Sequence, residues 1–135
     1  MIGQRPVKLT PKQEKYAYAA ATARDKGRCQ RCGSHGVTHR DHRQNRDAYN
    51  TTPANLQLLC VECHQWKTDN HVAAILEGFA VSRWSRPQVW PAWRIDVGWV
   101  QYFDTPDADG NWWQRISQAT ADLLMNGGTD AVVQG

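Results

Sequence analysis

The chain has 135 residues, 41% of them apolar, with seven Trp, four Cys and a formal net charge of +3. That allows one domain with a modest core, which a bound metal would help to staple. No run approaches the roughly 18 apolar residues of a membrane helix, and the opening MIGQRPVKLTPKQEK lacks the apolar stretch of a secretion signal. A cytoplasmic location is therefore expected, where four Cys bind metal more often than they pair as disulfides.

Residues 1–9 read as an extended arm. In TPKQEKYAYAAATARDKG, Thr10 is a helix N-cap, Pro11 takes the first helical position and Gln13 completes a capping box, with Gly27 as the stop. CQRCGSHG follows as a tight turn, and VTHRDHR reads as a strand. QNRDAYNTTPAN is loop-like, and LQLLCVECHQWKTDNHVAAILEG moves into helical periodicity that stops near Gly78.

Beyond Gly78 the composition changes: six of the seven Trp lie between residues 84 and 113, among Pro87 and Pro91. Trp84, Trp90, Trp93 and Trp99 are expected to build a small second core rather than a base-stacking surface. GWVQYF and NWWQRI flank DTPDADG, which predicts a β-hairpin. A short helix is expected over 115–125, and NGGTDAVVQG reads as a frayed tail.

Charge is unevenly spread. Residues 1–46 hold eleven Lys/Arg against Glu14, Asp25 and Asp41, whereas residues 47–135 hold five against ten acids. A basic half suits a polyanion such as nucleic acid, or simply a solvated charged face.

Cys29-x-x-Cys32 and Cys60-x-x-Cys63 are separated by 27 residues. Each pair can place its sulfurs about 2.3 Å from one tetrahedral zinc, and together they fill its shell. His64 directly follows Cys63, so it could ligate the same zinc, ligate a different ion, or be an ordinary helical polar residue. If the four thiolates fill the zinc and the helix starts just after Cys60, His64 turns about 100° away from Cys63. It would then share a face with Lys67, Thr68 and His71. Asp41-His42 and Asn55, between the cysteine pairs, supply candidates to meet it: a carboxylate and an imidazole for a divalent ion, and a second imidazole to take a proton from water.

DH at 41–42 followed by NLQLLCVECH at 55–64 resembles the HNH endonucleases, also called His-Me finger or ββα-metal nucleases. More specifically, the chain looks like the four-cysteine HNH proteins of actinobacterial phages, over about residues 23–71. The resemblance implies an α+β fold: a ββα-metal core stapled by a four-cysteine zinc site, with an N-terminal helix and a C-terminal Trp-rich hairpin extension. The implied divisions are an arm and helix at 1–22, the nuclease core at 23–78, the extension at 79–125 and a flexible tail at 126–135. It implies Asp41 and His64 as ligands of a catalytic Mg²⁺ or Mn²⁺, His42 as general base, Asn55 as the residue fixing the loop and the base, and Cys29, Cys32, Cys60 and Cys63 around structural zinc.

A third His ligand found in some members falls here on Thr68, with His71 as a substitute. The substrate would be DNA, and the partners phage terminase or portal proteins. The alternative is a non-catalytic zinc module of the same fold that binds DNA or a packaging partner. Arg40, Arg43, Arg46 and Lys67 are expected to grip phosphates, with Arg24, Lys26, Arg28 and Arg31 extending the track.

Overall fold

The structure is a computed structural model in which residues 7–127 are described; the start of the expected arm and most of the expected tail lie outside them. Helix α1 (Pro11–Asp25) begins as the sequence reads. The Thr10 hydroxyl accepts from the Gln13 backbone N–H at 3.1 Å, and the Gln13 side chain accepts from the Thr10 N–H at 2.8 Å. The reversal at its other end starts one residue before Gly27, with Lys26 already left-handed at φ 55°.

Strand β1 (Thr38–His42) pairs antiparallel with β2 (Leu56–Cys60), His42 opposite Leu56 and Asp41 opposite Gln57. Here the expected helical periodicity of LQLLC is corrected. All five residues are buried strand, covered on both faces, and such a strand carries no alternation to read. Successive side chains point to opposite faces of the pair. On one face, Leu56 packs against Ala17, Ala21 and Tyr18 of α1. On the other, Leu59 packs with Cys29, Cys63, Ala74 and Phe79. The expected single helix to Gly78 is two, α2 (Val61–Asp69) and α3 (His71–Leu76), broken at Asn70 with φ −131° and ψ 57°.

The chain then forms a three-stranded antiparallel sheet of β3 (Ala92–Arg94), β4 (Gly98–Tyr102) and β5 (Trp113–Arg115), followed by α4 (Gln118–Met125). The β4–β5 hairpin matches expectation; β3 was not read from the sequence. Gly78 lets this sheet approach: at φ +89°, a Cβ there would lie 2.7 Å from the Trp93 backbone nitrogen and from the Trp99 ring.

Buried charge joins sheet to core. Asp25 accepts from Arg94 at 2.6 Å and from Arg24 at 2.8 Å, while Arg94 also reaches the Tyr102 hydroxyl at 3.3 Å. Trp93 and Trp99 meet edge to face at 5.3 Å, and the Trp90 indole N–H donates to the Ile75 carbonyl at 3.0 Å. Trp84 departs from the expected second core, being 82% exposed. Among the described residues, no helix is long and apolar enough to cross a membrane.

Candidate metal centres

The knuckle turn and the β2–α2 junction bring four sulfurs together: ligand atoms of Cys29, Cys32, Cys60 and Cys63 all lie within 4.8 Å of one another. Cys32 and Cys60 Sγ are 3.7 Å apart. A tetrahedral zinc with 2.3 Å bonds sets its sulfurs about 3.8 Å apart, so the cluster fits that ion. Within each pair the second cysteine's N–H points at the first sulfur, Cys32 N to Cys29 Sγ at 3.5 Å and Cys63 N to Cys60 Sγ at 3.4 Å. Cys60 is thereby the N-cap of α2 as well as a candidate ligand. Burial pushes the Cys63 thiol up to about 12 against the opposing pull of the Arg31 guanidinium. Cys29, although also raised by burial, is drawn down to about 7 by the backbone N–H groups of Cys32, Cys60 and Arg31.

His64 is not among these ligand atoms. Its Nε2 lies 3.3 Å from Asp41 Oδ1. Two neighbouring ligands of an octahedral ion with bonds near 2.1 Å sit about 3 Å apart, so this pair is spaced to share one divalent cation. The His64 side chain is half-exposed. Among the described residues, no third Cys, His, Asp or Glu joins the pair. Thr68, at the position of the occasional third ligand, bonds instead to the His64 carbonyl, and His71 lines a cleft beside Arg83 and Trp84.

Sequence reasoning missed two neighbours of Asp41. Gln57 Nε2 donates to Asp41 Oδ2 at 2.9 Å and to the Phe79 carbonyl at 2.6 Å. Lys67, one helical turn past His64, places Nζ 3.0 Å from Asp41 Oδ2 and 2.8 Å from the His42 carbonyl. In this structure the ammonium expected on a phosphate is the counter-ion of a buried carboxylate. The i, i+3 spacing to His64 was the signal available for this.

His42, last residue of β1, faces away from Asp41. Its Nε2 lies 2.9 Å from Thr51 Oγ1, and its ring meets Tyr18 of α1 edge-on at 6.0 Å. Burial lowers its pKa most; Asp41 opposes this, while Arg46 and Lys67 add to it, so the ring is held toward its neutral form. Asn55 is fully buried and grips the loop after His42. Its Oδ1 accepts from Gln44 N at 2.8 Å, and its Nδ2 donates to the carbonyls of Asn50 at 2.9 Å and Gln44 at 3.1 Å.

Two arginines expected on DNA are corrected by burial. Arg43 is 1% exposed, and donates to the carbonyls of Ala54 and Pro87 at 2.8 Å and of Trp90 at 3.0 Å. Arg24 is 8% exposed and spends its donors on Asp25 and on the carbonyls of Pro53 and Leu56. Arg40 is exposed with its guanidinium over the Tyr18 ring at 4.4 Å, and Arg46 is exposed and paired with Glu14 at 3.2 Å.

Residues 29–70 match the family model HNH endonuclease. No curated protein matches the chain. No solved structure matches it either.

Proposed function

We propose that this chain, whose residues 29–70 carry the match to the HNH endonuclease family, is a divalent-metal-dependent endonuclease that hydrolyses DNA phosphodiester bonds. The observation that carries the reading is the approach of His64 Nε2 to Asp41 Oδ1 at 3.3 Å, one residue beyond the cysteine cluster. A Mg²⁺ or Mn²⁺ bound there would supply Lewis-acid stabilisation of the scissile phosphate and the departing 3′ oxygen. Asp41 and His64 would hold it. Gln57 orients the Asp41 carboxylate from behind.

His42 acts as general base from the other side of the end of β1. The scissile phosphate lies across that end, with the attacking water on the His42 side and the departing 3′ oxygen on the Asp41–His64 side. With the neutral ring's proton on Nε2 and donated to Thr51 Oγ1, Nδ1 is left to accept a proton from the attacking water. The water oxygen bonds to phosphorus, its proton passes to His42, and the P–O3′ bond breaks with its electron pair on O3′, which takes a proton from solvent, leaving 5′-phosphate and 3′-hydroxyl ends. Asn55 holds the loop that follows His42 and so acts as a positioning residue. The cysteine cluster would hold a structural zinc that anchors α2, and with it His64. Exposed Arg40 and Arg46 contact flanking phosphates. A phage origin, with terminase or portal proteins as partners, belongs to the same proposal and rests only on the sequence likeness.

A second reading is favoured by Lys67: Asp41 already has a cation, as it would in a non-catalytic DNA-binding module. Plasmid nicking with Mg²⁺ or Mn²⁺ separates the two. The endonuclease reading expects nicking by the wild type and none by His42→Ala. If both proteins are inert while both bind DNA, the module reading stands instead.

A further inference from the structure

Trp84 is 82% exposed and belongs to none of the hydrophobic clusters that build the core. It is nonetheless held on a fixed turn. Gln44 Nε2 donates to the carbonyls of both Ser82 and Ser85 at 2.8 Å, and Val81 N donates to the Arg43 carbonyl at 2.9 Å. Gln44 is itself clamped by Asn55 and stands two residues after His42. The Trp84 turn is therefore tied through one short hydrogen-bonded chain to the loop that leaves the candidate base.

The guanidinium of Arg83 lies over the indole at 4.4 Å, so one ring face is backed by a cation and the other is open. The ring stands between two hollows. One, shared with Asn45, Asp47, Asn50, His71 and Arg83, lies toward the His42 loop. The other is lined by Arg86, Val89, Trp90, Leu124 and Met125. The charged groups of the patch are Arg83, Arg86 and, in opposition, Asp47. A flat aromatic ring flanked by exposed arginines suits a nucleobase between phosphates.

We propose that Trp84, backed by Arg83, stacks on a nucleobase of the DNA substrate beside the scissile phosphate. This rests on the endonuclease reading for where the DNA lies, but its test does not depend on cleavage.

In a His42→Ala background, which prevents cutting, the affinity for a fluorescein-labelled duplex carrying one unpaired base is measured by anisotropy across a salt series. Adding Trp84→Ala should weaken binding roughly ten-fold without changing the slope of log Kd against log salt. Trp84→Phe should restore most of the affinity. Arg83→Ala should instead lower that slope by about one.

Unchanged affinity in Trp84→Ala would overturn the proposal. So would a marked fall in melting temperature, because the ring would then be covered by part of the chain itself. Loss of affinity in Trp84→Phe equal to that in Trp84→Ala, or no DNA binding at all, would also sink it. A failed endonuclease reading looks different: the wild type does not nick plasmid, yet the Trp84 effect on binding persists.

Discussion

Asp41 is a carboxylate shared by three neighbours. It is 6% exposed, and three groups compete for its two oxygens: the His64 imidazole, the Lys67 ammonium and the Gln57 amide. A divalent ion entering here must displace the ammonium or tolerate it. Unit charges about 4 Å apart near a protein surface interact by about 4 kcal/mol, enough to matter for affinity. Lys67→Met should therefore tighten Mn²⁺ binding roughly ten-fold, read by titration calorimetry. Weaker binding would mean that Lys67 chiefly holds the carboxylate in place. The meeting of Asp41 with His64 is what the family resemblance implied, since its ββα core brings the end of the first strand to the start of the helix. The fate of the arginines was not legible in the sequence. Arg43 donates to backbone carbonyls, which leave no mark in a sequence, and its neighbours Asp41 and His42 made it look like a phosphate contact. Burial lowers its pKa to about 10, so it remains charged. Arg43→Ala should destabilise the fold by about 3 kcal/mol or more in denaturant melts, by stranding those carbonyls.

At the scale of elements, one junction serves two sites. Cys60 ends β2, caps α2 and belongs to the sulfur cluster, while His64 and Lys67 project from the next turn toward Asp41. Stripping the cluster with a chelator should therefore loosen α2, lowering helical circular dichroism and weakening Mn²⁺ binding together. Loss of metal from the cluster without loss of Mn²⁺ binding would show that α2 stands unaided. Because the ligands must be thiolates, chelation should become easier as pH falls. The β2 strand was unreadable for a related reason. Sandwiched between α1 and the Phe79 side, it is buried on both faces, and with Gln57 its one polar residue, the short run does not distinguish strand from helix by period. Thr10 and Gln13, by contrast, act within one turn, and local chemistry of that kind is written in adjacent residues.

The whole molecule is closed by groups that the sequence keeps far apart. Asp25, at the end of α1, balances Arg24 and Arg94, and Arg94 comes from a strand 69 residues later. The tight seat of Gly78 against Trp93 and Trp99 adds a steric joint to this electrostatic one. A methyl there meets both a positive φ and a wall of backbone, so Gly78→Ala should cost roughly 2–4 kcal/mol, measured by thermal or urea unfolding. The same joints argue that residues 29–70 do not fold as a free-standing unit, although the family match ends there. A chain cut after Gly78 would lose the Pro87 and Trp90 carbonyls that Arg43 reaches and the guanidinium that Arg94 brings to Asp25. It would leave buried charge facing water and apolar surface uncovered. Such a truncation should show no cooperative melt even with zinc supplied, whereas the full chain melts in one step. A sharp transition in the truncated chain would mean that the cysteine cluster alone organises the core, and that the Trp-rich sheet is an attachment rather than part of the same fold.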